Sequence, residues 1–190
     1  MKGLSVAVLL IIGAWQMSDA LWIHAKAWLA QALIARAWSR TLEGEARAKP
    51  WPWADTWPVA RLAVPRLGVE RYVLSGTHGA TLAFGPGHAS DTVLPGEAGN
   101  SLIGGHRDTH LAFLGELEPG DEIVVERADR RRARYRVGAT HVLHRSELWI
   151  ASQDGPARLT LVTCYPLNAW RAGGDQRYAI VAFRTFEAPG

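Results

Sequence analysis

Three side chains with useful chemistry stand beside segments that resemble β-strands. Cys164 ends one such run, His106 follows Gly104 and Gly105, and Arg177 begins a later run. A thiolate is a nucleophile, an imidazole transfers protons, and a guanidinium stays charged and can stabilise an oxyanion. Because strand ends carry side chains to the rim of a sheet or barrel, this combination predicts thiol-based acyl transfer.

The positions of Cys164 and Arg177 favour a shared site. Tyr165 and Pro166 follow the cysteine, and proline cannot continue a central strand, so Cys164 is predicted at a strand end. If segments 158–163 and 176–183 pair antiparallel, Cys164 and Arg177 become close neighbours, and side-chain alternation decides whether they share a face. The alternatives are a cysteine buried as a small apolar residue and an arginine on the surface.

The elements that position these residues are predicted to be mainly strands. Short segments rich in β-branched and aromatic residues, separated by Gly and Pro, indicate strands. They cover 59–64, 70–74, 100–104, 122–127, 133–140, 158–163 and 176–183, with a short helix possible over 109–117. Seven or eight strands without alternating helices predict a closed antiparallel barrel or a sandwich.

The amino terminus is predicted to be a membrane helix. Lys2 precedes an uncharged run, 3–17, and extension to Ile23 reaches the roughly 20 residues that cross a bilayer. The positive charge on the short leading side favours a cytoplasmic amino terminus and an exported remainder. A cleavable signal peptide is the alternative, because Ser18 and Ala20 have the small-x-small pattern of a processing site.

The predicted organisation has three parts. Residues 1–38 form the transmembrane anchor and a helical stalk, 39–58 form a linker rich in Pro and Trp, and 59–190 form the barrel. Prolines stiffen such a linker. Its tryptophans are expected to pack on the barrel, and an exposed aromatic surface that touches lipid or a partner is the alternative.

Composition excludes several classes of function. The chain has 190 residues, a net charge of +3 and one cysteine, which excludes an internal disulfide and a cysteine-rich zinc site. His106 and His110 are four residues apart, but no third ligand has a recognisable spacing, so no metal is predicted. The arginine-rich segment 127–136 indicates a solvated hairpin tip or a contact with an anionic polymer or lipid. No nucleic-acid module is recognisable.

The ordered motifs resemble the sortases, membrane-anchored cysteine transpeptidases with a closed β-barrel. The resemblance covers 59–186 and rests on LPGEAGN, GHRD, FLGEL, GDEI and TLVTCYP, followed by Arg177 and Tyr178. The fold expected from it is an all-β barrel of about eight strands with short helices. The tryptophan-rich segment 49–58 and the HRDTH run resemble the branch found in Gram-negative, often marine, proteobacteria. That branch implies a single-pass inner-membrane protein whose catalytic domain faces the periplasm.

The resemblance also implies roles for the site residues. Cys164 matches the nucleophile, His106 the catalytic histidine and Arg177 the arginine that positions the substrate and stabilises the oxyanion. Thr163 matches the threonine before the nucleophile. The implied partners are a substrate protein with a carboxy-terminal sorting signal, an amine acceptor and membrane lipid at the amino-terminal helix, and no cofactor is implied. A peptidase that only hydrolyses and a catalytically silent, membrane-tethered binding barrel are the alternative functions.

Overall fold

The computed structural model describes residues 2–170 and 173–186, apart from the side chains of 2–12, 14, 19, 20, 23 and 148. A long helix, α1 (Lys2–Leu42), is followed by a barrel. The described residues contain eight strands: β1 (Pro58–Val64), β2 (Val69–Ser75), β3 (Gly87–His88), β4 (Asn100–Gly104), β5 (Glu122–Arg127), β6 (Arg132–His144), β7 (Arg158–Cys164) and β8 (Gln176–Thr185). A one-turn helix, α2 (Gly79–Leu82), and three short 3₁₀ helices, Pro65–Leu67, Ala112–Glu116 and Leu148–Ala151, occupy the connections.

The strands close into a barrel in the order β1-β2-β3-β4-β7-β8-β6-β5. Closure confirms the expected all-β barrel and excludes the sandwich. The expectation that all strands run antiparallel was wrong, because two of the eight pairs found in the described residues, β2–β3 and β4–β7, are parallel. The parallel pair β4–β7 matters for function, since it brings the carboxyl ends of two distant strands to the same rim.

Alternation of side chains produces the core. β1 is buried at every second position, as expected for a strand with one face on the barrel interior. The interior cluster contains the fully buried Leu62, Ile103 and Leu161, together with Phe113 and Leu114 of the 3₁₀ helix that caps it. A smaller cluster lies on the outer face of the sheet, beneath the connection between β6 and β7.

All seven predicted strands are present, with ends that differ by a few residues. The largest differences are the extension of β6 to His144 and the addition of β3, which sequence patterning did not predict. The helix predicted over 109–117 is a 3₁₀ helix over Ala112–Glu116.

The carboxy-terminal part of α1 packs on the barrel. Ala30, Ile34, Ala37, Trp38 and Thr41 are buried at helical spacing and form one stripe. The Trp38 ring lies 6.4 Å from that of Tyr72 on β2. The helix ends where Gly44 adopts φ 103°, a conformation that glycine reaches without strain.

The predicted membrane segment lies at the other end of α1. Most of its side chains, including 3–12, fall outside the described residues. In the part that is described, no helix is both long enough and apolar enough to cross a membrane. The membrane helix therefore has no support from the structure and stays a prediction.

The linker tryptophans differ in their surroundings. Trp51 makes an edge-to-face contact with Phe84 at 4.9 Å, and Trp57 lies beneath the guanidinium of Arg47 at 5.0 Å. Trp53 is 83% exposed. Packing on the barrel thus accounts for Trp51, whereas Trp57 contacts an arginine of the linker itself and Trp53 belongs to the surface.

The arginine-rich segment forms the β5–β6 hairpin, and much of its charge is used within the molecule. Arg127 pairs with Glu97 at 3.0 Å, and Arg132 lies 3.5 Å from Glu126. At the tip, Arg130 donates a hydrogen bond to the Leu42 carbonyl at the end of α1. The hairpin tip therefore contacts the end of the helix, a contact that composition did not reveal.

A buried carboxylate should make the fold sensitive to acid. Asp121 is 8% exposed at its side chain and accepts two hydrogen bonds from Arg66, at 2.6 and 2.7 Å. These bonds hold the pKa of Asp121 below its usual range. A lowered folded-state pKa means that the pairing stabilises the fold fully above the ordinary carboxyl pKa of ~4 and is lost as the pH falls through the folded value.

We therefore expect Asp121→Asn to lower the urea midpoint at pH 7, and the gap to wild type to narrow by pH 3. Equilibrium unfolding at both pH values measures this effect. Asp91→Asn, at an exposed position, is the control and should leave the midpoint unchanged. A gap of equal size at both pH values would contradict the assignment.

Candidate active site

The Cys164 thiol and the Arg177 guanidinium occupy directly paired positions. β7 and β8 run antiparallel, and Cys164 opposes Arg177 at the last step of their register. Residues directly opposite on paired strands share a face of the sheet, with Cβ atoms about 4.5–5.5 Å apart. The sequence left open whether the two side chains share a face, and the register establishes that they do.

That face is the outer surface of the barrel. The interior takes the residues of opposite parity, namely Leu159, Leu161, Ile180 and Ala182. Cys164 and Arg177 therefore lie on the side occupied by Val162 and Ala179, which belong to the outer cluster. The connection between β6 and β7 covers this cluster through Ile150. The cysteine thus stands at the open end of an apolar strip, half-buried and accessible from solvent.

The connection over the strip is anchored to β4 by side-chain amides. Asn100 donates a hydrogen bond to the Ile150 carbonyl at 2.8 Å, and Gln153 donates one to the Asn100 carbonyl at 3.0 Å. The Asn100 amide oxygen accepts from Thr160 at 2.7 Å. Buried polar groups with complete hydrogen bonding favour one arrangement, so the strip keeps a defined wall.

His106 reaches the same rim through the parallel pair. Gly104 is in register with Val162, and the pairing continues for one residue because Gly105 N–H donates to the Val162 carbonyl at 3.1 Å. Neighbouring strands are about 4.8 Å apart. His106, two residues beyond Gly104, is therefore at the level of Cys164, two residues beyond Val162. The structure thus brings the three residues predicted from sequence to one rim.

Within the described residues, the side chains of Cys164, His106 and Arg177 make no hydrogen bonds to one another. Among the residues that the structure describes, the Cys164 thiol makes no hydrogen bond, and His106 is exposed. Arg177 donates through Nη1 to the carbonyls of Gly174 and Gln176, at 2.9 and 2.8 Å. Its Nε and Nη2 make no bond within 2–170 and 173–186. Catalytic hydrogen bonds are often long before substrate binds, and the anchored guanidinium keeps donors for an incoming oxygen.

Neighbouring residues frame the site. Tyr165 stacks on Tyr178 with ring centroids 6.2 Å apart, next to the paired Cys164 and Arg177. Burial lowers the pKa of His110, against the raising effect of its hydrogen bond to the Ala83 carbonyl and with smaller lowering contributions from Arg71 and His106. No group of three His, Cys, Asp or Glu side chains suitable for a metal occurs within the described part of the chain. Sequence reasoning also overlooked the buried Arg107, whose position beside His106 was the available signal.

Gly105, the residue directly before His106, allows the side chain of Leu111 to approach the backbone closely. A Cβ added at Gly105 would lie 2.8 Å from Leu111 Cγ, whereas one added at Gly104 would meet its nearest atom at 3.8 Å. We expect Gly105→Ala to destabilise the protein by about 1–3 kcal/mol, because the core must move to accommodate the methyl group. Urea denaturation measures the loss, and Gly104→Ala is the matched control. Equal stability of the two variants would contradict the predicted crowding.

Arg177→Gln is expected to lower kcat by about 10²- to 10³-fold, the usual effect of removing a donor that stabilises an oxyanion. KM should change less if the bond strengthens in the transition state. Arg145→Gln is the matched control, because Arg145 makes an exposed ion pair with Asp175 at 3.0 Å near the start of β8. Steady-state kinetics on a cleavable peptide separate the two parameters, and an unchanged kcat would exclude Arg177 from the chemistry.

Together, the fold and the site define a class of protein: a closed, mixed β-barrel with a cysteine, a histidine and an arginine at one rim. The sortase-domain family model matches residues 62–185. The chain belongs to the sortase family.

Individual relatives agree with this assignment. The chain is 31% identical over 124 residues to Sortase D of Bacillus subtilis, a match that covers 65% of this chain and 62% of that protein. The chain thus spans less than two thirds of the length of this curated relative. The catalytic domain of B. anthracis SrtD has a TM-score of 0.58 and 32% identity, with 68% of this chain and 88% of that one covered. Sortase A from Corynebacterium diphtheriae has a TM-score of 0.63 and 25% identity, covering 72% and 65%.

Proposed function

We propose that this protein is a cysteine transpeptidase that cleaves a carboxy-terminal sorting signal and transfers the substrate protein to an amine. The pairing of Cys164 with Arg177 on one outer face, at the level of His106, carries this proposal. A solved relative of the same fold is named as the Clostridium perfringens Sortase D5 transpeptidase.

The reaction follows from the side chains at the rim. The Cys164 thiolate attacks a backbone carbonyl carbon, and Arg177 stabilises the negative charge that develops on the oxygen. The C–N bond then breaks, and His106 gives a proton to the leaving amine, so that a thioester remains on Cys164. An acceptor amine attacks the thioester carbon, loses a proton to His106 and releases the thiolate. Water in place of the amine gives hydrolysis.

Product analysis with the full chain tests the function. A labelled peptide library built on the Leu-Pro-x-Thr-Gly pattern is incubated with and without triglycine, and products are identified by mass spectrometry. A transpeptidase yields a new amide, at a cleavage site that the mass identifies. A peptidase yields only the free acid with or without triglycine. A silent binding barrel leaves every peptide intact, which would overturn the proposal.

We further infer that segment 3–23 holds the protein in the inner membrane with the barrel in the periplasm, as in the Gram-negative branch. The support is sequence-based: Lys2 before an uncharged run, and Trp22 at the far end of the segment, which suits an interfacial belt. Carbonate extraction of bacterial membranes and protease accessibility of the barrel in spheroplasts test the anchor and its orientation. Release by carbonate, or protection from external protease, would contradict it.

A further inference from the structure

A buried arginine stands directly beside the candidate catalytic histidine. The side chain of Arg107 is only 3% exposed, while that of its neighbour Asp108 is 63% exposed. A buried guanidinium is costly unless hydrogen bonds satisfy it. The buried guanidinium of Arg107 therefore needs hydrogen-bond acceptors close to it in the fold.

Those partners lie in the loop that follows the candidate nucleophile. Arg107 Nη1 donates to the Pro166 carbonyl at 2.8 Å, and Nη2 donates to the Ala169 carbonyl at 3.0 Å. Its Nε donates to Asp108 at 3.2 Å. The loop joins β7 to β8 and begins directly after Cys164. One planar guanidinium thus binds two carbonyl groups of the loop, an arrangement that the single ammonium of lysine does not reproduce.

A second contact holds the same two segments together from the other side. The Thr163 hydroxyl donates to the Gly105 carbonyl at 2.8 Å. The residue before His106 is thus bonded to the residue before Cys164, and the residue after His106 is bonded to the loop after Cys164. These two ties enclose the histidine and the cysteine between them. The bond between Thr163 and Gly105 joins the end of β7 to the residue that follows β4. The bonds of Arg107 join the segment after His106 to the β7–β8 loop.

We propose that Arg107 is a positioning residue that holds the β7–β8 loop, and with it the Cys164 thiol, at the level of His106. This role rests on the proposed thiol chemistry of Cys164 and adds to it the group that sets the cysteine–histidine geometry. Small displacements of reacting groups have large effects, since a misplacement of about 1 Å can lower a rate about 10²-fold.

The first test uses the reactivity of the thiol and needs no substrate. Because Cys164 is the only cysteine, iodoacetamide alkylation of the full chain, counted only on the Cys164 peptide by mass spectrometry, reports on this thiol. Rates are measured from pH 5 to 10 for wild type, His106→Ala, Arg107→Lys and Arg127→Lys. Arg127, at the end of β5, is the matched control. Its side chain is 19% exposed, and it also donates a hydrogen bond to a loop carbonyl, that of Pro95.

The positioning role predicts that Arg107→Lys follows the pH profile of His106→Ala, while Arg127→Lys follows that of wild type. An Arg107→Lys profile that coincides with wild type would overturn the proposal. Coincidence of the wild-type and His106→Ala profiles would also overturn it, because His106 would then have no effect on the reactivity of the thiol for Arg107 to maintain. Thermal unfolding of each variant establishes that the compared proteins are folded, and if Arg107→Lys is unfolded, Arg107→Gln takes its place.

Peptide kinetics provide the second readout. With a cleavable peptide, Arg107→Lys should lose about 10- to 100-fold in kcat with KM changed by less than about twofold. A loss confined to KM would indicate a role in substrate binding and would overturn the proposal. If wild type cleaves no peptide, the proposed function fails, whereas the alkylation profiles still decide whether Arg107 sets the cysteine–histidine geometry.

Discussion

Replacing Cys164 with alanine is expected to lower the rate of peptide cleavage by at least about 10⁴-fold. The nucleophile and its partners act as a unit, so that loss of the nucleophile removes the covalent route entirely. Mass spectrometry of the intact protein should detect a thioacyl adduct on wild type and none on Cys164→Ala. Adding hydroxylamine, a strong nucleophile, should remove the adduct and release a hydroxamate.

The Cys164→Ala experiment is specific because the chain contains one cysteine. Every cysteine-alkylation or thioester signal therefore reports on position 164. The side chain is half-buried, and alanine preserves the backbone pairing with Arg177. The variant should keep the thermal midpoint of wild type, and a large decrease would show that the loss of activity reflects folding. Retained cleavage by a folded Cys164→Ala protein would refute nucleophilic catalysis at this position.

The cysteine–arginine pair could be predicted from sequence because it depends on a local relationship. β7 and β8 follow one another along the chain, and consecutive strands usually neighbour each other in space. The loop between them returns the chain beside its exit, so that the last residue of one strand opposes an early residue of the next. Cys164 and Arg177 occupy those positions. Only the register was needed to decide that they share a face.

The position of the histidine could not be derived in the same way. β4 and β7 are separated along the chain by β5 and β6, and they pair in parallel. Nothing in the alternation of either strand identifies the other as its partner, because periodicity reports which face is buried and not which strand lies alongside. Resemblance to the sortases brought His106 into the predicted site, and the parallel register supplies the physical reason.

Two other features, β3 and the burial of Arg107, could not be predicted from the sequence for physical reasons. β3 consists only of Gly87 and His88, too short for a periodic pattern, and a side chain at Gly87 would collide with the Gly76 carbonyl oxygen. In the sequence its glycine and the preceding proline indicate a turn. Arg107 was overlooked because an arginine next to an aspartate is typical of a solvated surface. Burial and the two loop carbonyls that satisfy it emerge only when the β7–β8 loop is folded.

His106→Ala is expected to lower cleavage of a peptide by about 10²- to 10⁴-fold, the usual range for loss of a general acid–base group. Peptide bonds have a poor leaving group that must be protonated as the C–N bond breaks. An activated p-nitrophenyl ester of the same acyl group has a leaving group that needs no proton. If His106 acts as the general acid, the ester should slow far less in the variant than the peptide does.

This comparison separates two roles that the structure leaves compatible with the position of His106. The thiol and the imidazole stand at the same level of the rim with no hydrogen bond between them in the described residues, so the imidazole can act on the thiol through its charge as well as on the leaving amine. Should His106 instead generate the thiolate, ester and peptide would slow by the same factor. His110→Ala is the matched control in the same turn, since its ring is directed to the Ala83 carbonyl at 3.5 Å. Recovery of peptide cleavage by added imidazole in His106→Ala, but no change in His110→Ala, would assign the proton transfer to His106.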